Sequence, residues 1–549
     1  MTKVIALAPP LLRRAVSFFL CSVTFVFLPT GGGHAQSSQS PSSHSTTASP
    51  AAPAIPFNKG VGRALAGREV FRFETFGNES FWTDAMRMPK GILDAQVTPI
   101  QALKAGLMID IDAIPTDMQE KLAAELKTDM SLDRAPMLND VKTTVKLIEV
   151  NAVIGMVPKD TNGDGKIDIA SGDKVGVSCA LCHTVTDKSA YDMPGGGSIG
   201  HRIDGPSALT LDVGKLLALA ANSRAFYPFL QTTLGGKTIG RAPNGLTADS
   251  TEQEVDAYLN NKEFYPVGMF DDTPDGNGNP VVITPLFRQD LAKPFGSAGE
   301  QATFENFSNG VYTVAFDPVV LATPDGHKFL AAVGGKAGDQ LSNDYAKILA
   351  DTGVTGYPFV QARKAGKPGD PATLVGRRVD EQKLADLRAY TESLQAPKGA
   401  KVDQHAAAEG RKLFTANCTS CHNVNQGKPV QLKLVDMKTI WPGYRPEIIA
   451  KRDPPLDPIQ NAPGTFDDKM IVVDASPGGG KRGNALPMLL DLDRKTKFLH
   501  DGSVKGLDAL LDSNRGPDAP HPFYVAKSDQ RTNLVEFLRG LDTAAEITR

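Results

Sequence analysis

Two five-residue segments constrain this chain more than anything else in its 549 residues: Cys179-Ala-Leu-Cys182-His183 and Cys418-Thr-Ser-Cys421-His422. Two cysteines three positions apart, followed at once by histidine, put two thiols and an imidazole on a single turn. That arrangement attaches haem, because the thiols add across the two vinyl groups and the histidine ligates iron from the proximal face. A thioredoxin-like redox pair or half of a zinc site would use the cysteines without needing histidine next to them. The chain has five cysteines, and the fifth, Cys21, lies near the N-terminus. Every later cysteine is therefore committed to one of the two motifs, and two covalently bound haem c groups are expected.

The start of the chain indicates a compartment. Lys3, Arg13 and Arg14 precede an apolar run from Ala15 to Pro29, which is followed by Gly31-Gly-Gly-His34-Ala35. A charged beginning, an apolar stretch too short to span a bilayer and a small-residue exit describe a secretory signal peptide over residues 1–35. Leu20 precedes Cys21 where a lipoprotein site requires a small residue, so no lipid anchor is expected. No later segment is long and apolar enough for a membrane span, and the mature chain is expected in the periplasm or outside the cell. Spare thiols would be oxidised there; none are spare. A net charge of −3 excludes nucleic-acid binding through a basic face.

The length calls for two or three domains. Residues 36–56 are Ser, Thr, Pro and Ala, a disordered linker without core-forming content. Globular sequence starts at Phe57. Leucines at 384, 387 and 394 mark a helix over Asp380 to Leu394, and Ala396-Pro-Lys-Gly-Ala400 marks a seam behind it. The short repeat Ala66-Gly-Arg-Glu-Val-Phe71 and Glu409-Gly-Arg-Lys-Leu-Phe414 implies two related modules. The second copy runs directly into Cys418, whereas the first is separated from Cys179 by an insertion with helical pattern, as in Met118 to Leu126. The expected fold is mainly α: an N-terminal module with insertions over 57–398 and a C-terminal module over 399–549. Each is cytochrome c-like, with long loops suited to 52 glycines and 39 prolines. The middle segment is decorated, and β-branched runs between Val281 and Val333 imply a small sheet there.

The sequence after the first motif resembles the peroxidatic-haem segment of bacterial di-haem cytochrome c peroxidases. Met193-Pro-Gly-Gly-Gly-Ser198-Ile199-Gly200-His201 matches their glycine-rich loop and Ser-x-Gly-His, and Gly205-Pro206 comes next. The resemblance implies that His201 is the distal, catalytic group, with Met193 as the alternative ligand. Close approach of the loop to a porphyrin face would account for the glycines. At the C-terminus, Leu486-Pro-Met488, Phe498-Leu499-His500-Asp501-Gly502-Ser503, His521-Pro522-Phe523 and a closing helix over Thr532 to Leu541 resemble the same superfamily. His500 is expected to be a structural neighbour of the haem.

The chain departs from that pattern in several places. The family's methionine position after His-Asp-Gly is Asn514 here, which leaves Met488, Met470, Met437 and His521 as candidate sixth ligands. The family's inter-haem tryptophan is replaced by Phe226-Tyr227-Pro-Phe229, with Trp441 elsewhere, and Glu252, Glu254 and Glu263 are candidates for its catalytic acid. Asp160, Asn162, Asp164, Lys166 and Asp168 have the spacing of a calcium loop with Gly165 at its sixth position, but Ser171 stands where the bidentate glutamate belongs. A structural calcium and a turn held by its own side chains are both consistent with that sequence. The resemblance implies a periplasmic oxidoreductase that takes electrons from a small cytochrome or cupredoxin to reduce hydrogen peroxide. An electron-transfer cytochrome without catalysis and a di-haem oxygenase are the alternatives.

Overall fold

The structure is a computed structural model that describes residues 62–238, 242–276, 278, 280–296, 301–431, 486–499, 502, 504–515 and 525–543. The segments expected to be a signal peptide and a linker lie outside the described residues, as do Trp441, His500, His521, Met437 and Met470.

Helix dominates, and sheet among the described residues is limited to two-stranded pairs and one three-stranded sheet. Buried hydrophobic side chains fall into two clusters, one formed by residues between Val70 and Tyr390 and one by residues between Phe414 and Leu541. An irregular stretch follows Ser393 and precedes the helix Gln404–Asn417.

The two clusters are organised in the same way. The helix Ala64–Phe73 crosses Glu381–Ser393, and Gln404–Asn417 crosses the closing helix Ser528–Arg539. At the first crossing a Cβ on Gly67 would lie 1.9 Å from the Asp386 carbonyl oxygen; at the second, one on Gly410 would lie 2.0 Å from that of Asn533. One turn later, on the same helix face, Phe71 meets Tyr390 edge-on at 5.5 Å and Phe414 meets Phe537 at 5.3 Å. The short sequence repeat is the imprint of this crossing: glycine lets the backbones touch and phenylalanine seals the core beside them.

The halves differ beyond the end of the first helix. In the second, Cys418 is the helix C-cap itself, and its N–H donates to the Phe414 carbonyl at 2.8 Å. In the first, the chain leaves after Phe73 and returns at Ser178, whose hydroxyl donates to the Arg72 carbonyl at 2.8 Å. The Asn78 side chain donates to the Val177 carbonyl and accepts from its N–H, both at 2.9 Å. The detour holds the helices Thr116–Glu125 and Val141–Glu149 and the hairpin Met156–Lys159/Lys174–Val177. It thus delivers Cys179 to the place beside the opening helix that Cys418 reaches directly.

The sheet expected between Val281 and Val333 is reduced to Val281–Val282 paired with Met269–Phe270. From Phe304 onward the segment is mainly helical, over Phe304–Gly310, Val311–Ala315, Pro318–Ala322 and into Pro324–Asp351. Val314, Val319 and Val320 are at most 3% exposed. Burial worth about 1.5–3 kcal/mol per side chain outweighs a helix penalty of about 0.7 kcal/mol or less.

The halves also touch. Val430 N–H donates to the Leu291 carbonyl at 2.9 Å, the Lys497 ammonium reaches the Val267 carbonyl, and Gly502 lies against Met269 and Val282.

Gly410→Ala is expected to lower stability by about 1–3 kcal/mol by forcing the crossed helices apart. Urea unfolding checks this: the midpoint should fall at unchanged slope.

Candidate functional site

The first motif sits on the helical turn Ala180–His183, with Cys179 as its N-cap. Cys179, Cys182, Cys418 and Cys421 are all free thiols. Cys179 is buried with its Sγ 3.3 Å from the Tyr312 hydroxyl, and burial pushes its thiol up to about 11. Burial, with Cys179 close by, pushes Cys182 to about 12. His183 Nδ1 lies 2.7 Å from the Thr284 carbonyl oxygen. A carbonyl only accepts, so Nδ1 carries the proton and Nε2 keeps the lone pair. Burial pushes the imidazole down to about 4, so the ring is neutral at neutral pH, the form that binds a metal.

The second motif repeats much of this. Cys421 and His422 N–H groups both donate to the Cys418 carbonyl, at 3.1 and 2.9 Å, which makes the turn. Cys418 packs against the second core, and burial moves its thiol up to about 11 and His422 down to about 4. Unpaired thiols and a neutral imidazole on one turn, set in apolar surroundings, fit an iron porphyrin at each place. Cys179, Cys182 and His183 would hold one, and Cys418, Cys421 and His422 the other.

A residue the sequence did not single out ties the first motif to its helix crossing. The Asp204 carboxylate, 7% exposed, accepts from Arg72 Nε at 2.6 Å, the Tyr390 hydroxyl at 2.6 Å and the Thr184 hydroxyl at 2.9 Å. Those partners come from the two crossed helices and from the residue after His183. Gly205 N–H then donates to the His183 carbonyl at 2.7 Å. In sequence, Asp204-Gly205-Pro206 reads only as a turn.

His201 is placed elsewhere. Thr184–Thr186 pairs antiparallel with Arg202–Asp204, so the ribbon that begins at His183 carries His201 to its far end. Four residues at about 3.3 Å each separate His201 from Gly205, the neighbour of His183, roughly 13 Å along the strand. The ring is 57% exposed and its Nδ1 lies 2.9 Å from an Asp112 carboxylate oxygen. The hydrogen bond and charge of Asp112 raise its pKa. The structure does not bring His201 to the attachment motif.

The glycine loop has a different neighbour from the one expected. A Cβ on Gly196 would lie 2.4 Å from the Leu103 carbonyl oxygen and one on Gly197 1.8 Å from that of Leu107, so both glycines serve a backbone approach within the protein. Met193 is buried beneath this loop. Phe226 and Phe229 are buried and stacked at 5.1 Å, with Phe226 6.3 Å from Phe270. Of the candidate acids, Glu254 belongs to the capping box of the helix Glu252–Asn260, Glu252 accepts from Ser223 N–H, and Glu263 is exposed. Met488 is half-buried in the second half and Asn514 is exposed.

The Asp160–Asp168 loop caps the hairpin that leads to Cys179. Asp160 accepts from Gly163 and Gly165 N–H at 2.6 and 2.9 Å, Asn162 from Asp164 N–H at 2.8 Å, and Asp164 from Lys166 N–H at 2.8 Å. Asp168 accepts from the Ser171 hydroxyl at 2.7 Å, and buried Asp173 accepts from Thr161 and Asp168 N–H, both at 2.9 Å. The loop is held by its own side chains, and no cluster of acidic or sulfur and imidazole ligands arranged for a metal occurs among the described residues.

A cavity of about 270 Å³ borders Cys182, with Trp82, Met88, Met156, Phe270 and Phe316 in its wall. Neither His201 nor Met193 lines it.

Two substitutions test these contacts. Asp204→Asn removes the charge that Arg72 faces in a buried setting and is expected to cost about 3–5 kcal/mol, read from denaturant unfolding. Asp112→Asn is expected to move the titration midpoint of His201 downward, monitored by the ring proton shifts in NMR. The sign comes from the raised pKa: protonated His201 contributes stability at low pH, and the contribution disappears as pH rises through its folded-state pKa.

Residues 407–542 match the cytochrome c family, a span that contains the second motif and the crossing of Gln404–Asn417 with the closing helix. A domain of that family binds haem c covalently and transfers electrons. No curated protein matches the sequence. Among solved structures, the chain is similar to one described as Kuenenia stuttgartiensis hydrazine synthase pressurized with 20 bar xenon. Identity is 16%, coverage is 50% of this chain and 76% of that one, and the TM-score is 0.25.

Proposed function

We propose that this chain is an exported di-haem c-type cytochrome that moves electrons between a small periplasmic partner protein and a terminal acceptor. The observation that carries the reading is the recurrence, in both halves, of one glycine–phenylalanine helix crossing with a Cys-x-x-Cys-His turn set against its first helix. Thioether bonds at Cys179 and Cys182 and at Cys418 and Cys421 would fix the haems, with His183 and His422 as proximal ligands. Each iron, once bound, supplies one-electron exchange. The protein's contribution is to orient the ligand and exclude water: Thr284 holds the Nδ1 proton of His183, Asp204 fixes the turn, and the apolar surroundings of both motifs set the potentials.

Peroxide reduction at the first site is the second reading. It is supported by the likeness of residues 193–206 to the peroxidatic segment and by the electron count. Reducing H2O2 to two waters takes two electrons and two protons, and two one-electron centres in one chain supply the electrons together.

The test is a pyridine haemochrome assay on protein made in cells competent for cytochrome maturation. Two haems per chain are expected, and one in the Cys179→Ala, Cys182→Ala double variant. A wild-type chain with one haem or none would sink the reading. Turnover of hydrogen peroxide with a reduced small cytochrome as donor separates catalysis from carriage alone.

A further inference from the structure

We propose that Asp317 is a buried acid switch whose ionisation loosens a strap, residues 357–361, from the first half. The switch is independent of what the Cys-x-x-Cys-His turns carry.

Between the helix Pro324–Asp351 and the strand Arg363–Pro368 the chain runs without regular structure. Val360 enters the first core there, and Tyr357 and Phe359 pack against it. A single side-chain oxygen holds this strap: Asp317 Oδ2 accepts from the N–H groups of Phe359 and Val360, at 2.8 and 2.7 Å. Asp317 is 0% exposed, and its other oxygen, Oδ1, has no partner among the described residues.

The surroundings do little for a negative charge. Arg377, on the strand Val375–Arg378, acts on Asp317 by charge alone, since its Nη2 donates to the Ala362 carbonyl at 2.9 Å and its buried Nε has no partner. The Tyr345 hydroxyl, from the helix Pro324–Asp351, donates to the Ala225 carbonyl at 2.7 Å, and Tyr357 of the strap stands beside Tyr345. Tyr312, from Val311–Ala315, is turned to Cys179. Arg224, from the short helix Ser223–Phe229 packed against Pro318–Ala322, donates to the Ala248 carbonyl at 2.9 Å. A carboxylate so enclosed is a costly charge, whereas the neutral acid keeps both N–H bonds without one. Burial pushes the carboxyl up to about 7, against the pull of the two N–H groups and Arg377.

The strap in turn holds the turn from which the insertion departs. Gln361 N–H donates to the Phe76 carbonyl at 2.7 Å, and a Cβ on Gly77 would lie 2.8 Å from the Phe359 carbonyl oxygen. Phe76 has a φ of 49°, a left-handed conformation that an aromatic residue rarely adopts without support. Its ring meets Tyr312 edge-on at 4.5 Å, and the Tyr312 hydroxyl lies 3.3 Å from Cys179 Sγ. Release of the strap therefore frees the packing behind the first motif.

The sign follows from the raised value. A carboxyl contributes fully below its unfolded pKa, about 4, and the contribution is lost as pH rises through the folded one. Between about 4 and about 7 each pH unit should raise the opening constant of the strap by up to tenfold, with a plateau above. The experiment uses the full mature chain. Infrared difference spectra should show a protonated buried carboxyl band that disappears as pH is raised through about 7 and is missing in Asp317→Asn. Hydrogen exchange of peptides covering 357–361, corrected for the intrinsic rate, should follow the same titration in the wild type and lose it in Asp317→Asn. Arg377→Gln, which removes the one cation acting on the carboxyl, should move the midpoint to higher pH, and it makes the test if Asp317→Asn does not fold. An infrared titration below about pH 5, strap exchange with the same pH dependence in Asp317→Asn, or an unmoved midpoint in Arg377→Gln overturns the proposal. So does protection lost across the whole first half at once, because the strap would then not open by itself.

Discussion

The Asp204 carboxylate is the constraint on which the first half depends. Its three donors belong to three separated parts of the chain: Arg72 at the end of the opening helix, Tyr390 on the helix crossing it, and Thr184 directly after the motif histidine. A buried carboxylate is tolerated only when its oxygens are filled and a cation lies close. Satisfying Asp204 therefore requires the crossing and the motif to be assembled together. The second half needs no such clamp, since Cys418 is covalently continuous with its helix.

The two halves show how one crossing accommodates very different additions. Gly67 and Gly410 do the same work in each, and so do Phe71 and Phe414. The insertion leaves from and returns to the end of one helix through Asn78, Ser178 and Arg72. The crossing is left undisturbed.

What the sequence disclosed was local. The motifs, the Gly–Phe repeat and the helix over 381–393 depend on neighbours a few residues apart. The aspartate clamp and the Thr284 partner of His183 depend on segments more than a hundred residues away, and no local pattern announces them. The β-branched run from Val311 to Val320 misled because burial against the first core outweighs strand propensity. For His201, the strand pairing of residues 184–186 with 202–204 decides where that histidine goes, and pairing is a tertiary fact that the spacing Ser-x-Gly-His does not contain.

The partner of the His183 ring is a main-chain oxygen, which has a consequence for how the site can drift or be tuned. Replacing the side chain at position 284 leaves that acceptor in place, so the orientation of the imidazole is sheltered from point substitution there. What can alter it is displacement of the backbone, and the strand just before Thr284 has Gly502 of the other half pressed against Val282. Adjustment of the His183 ring is thereby handed to the boundary between the halves, where a bulkier residue acts as a wedge.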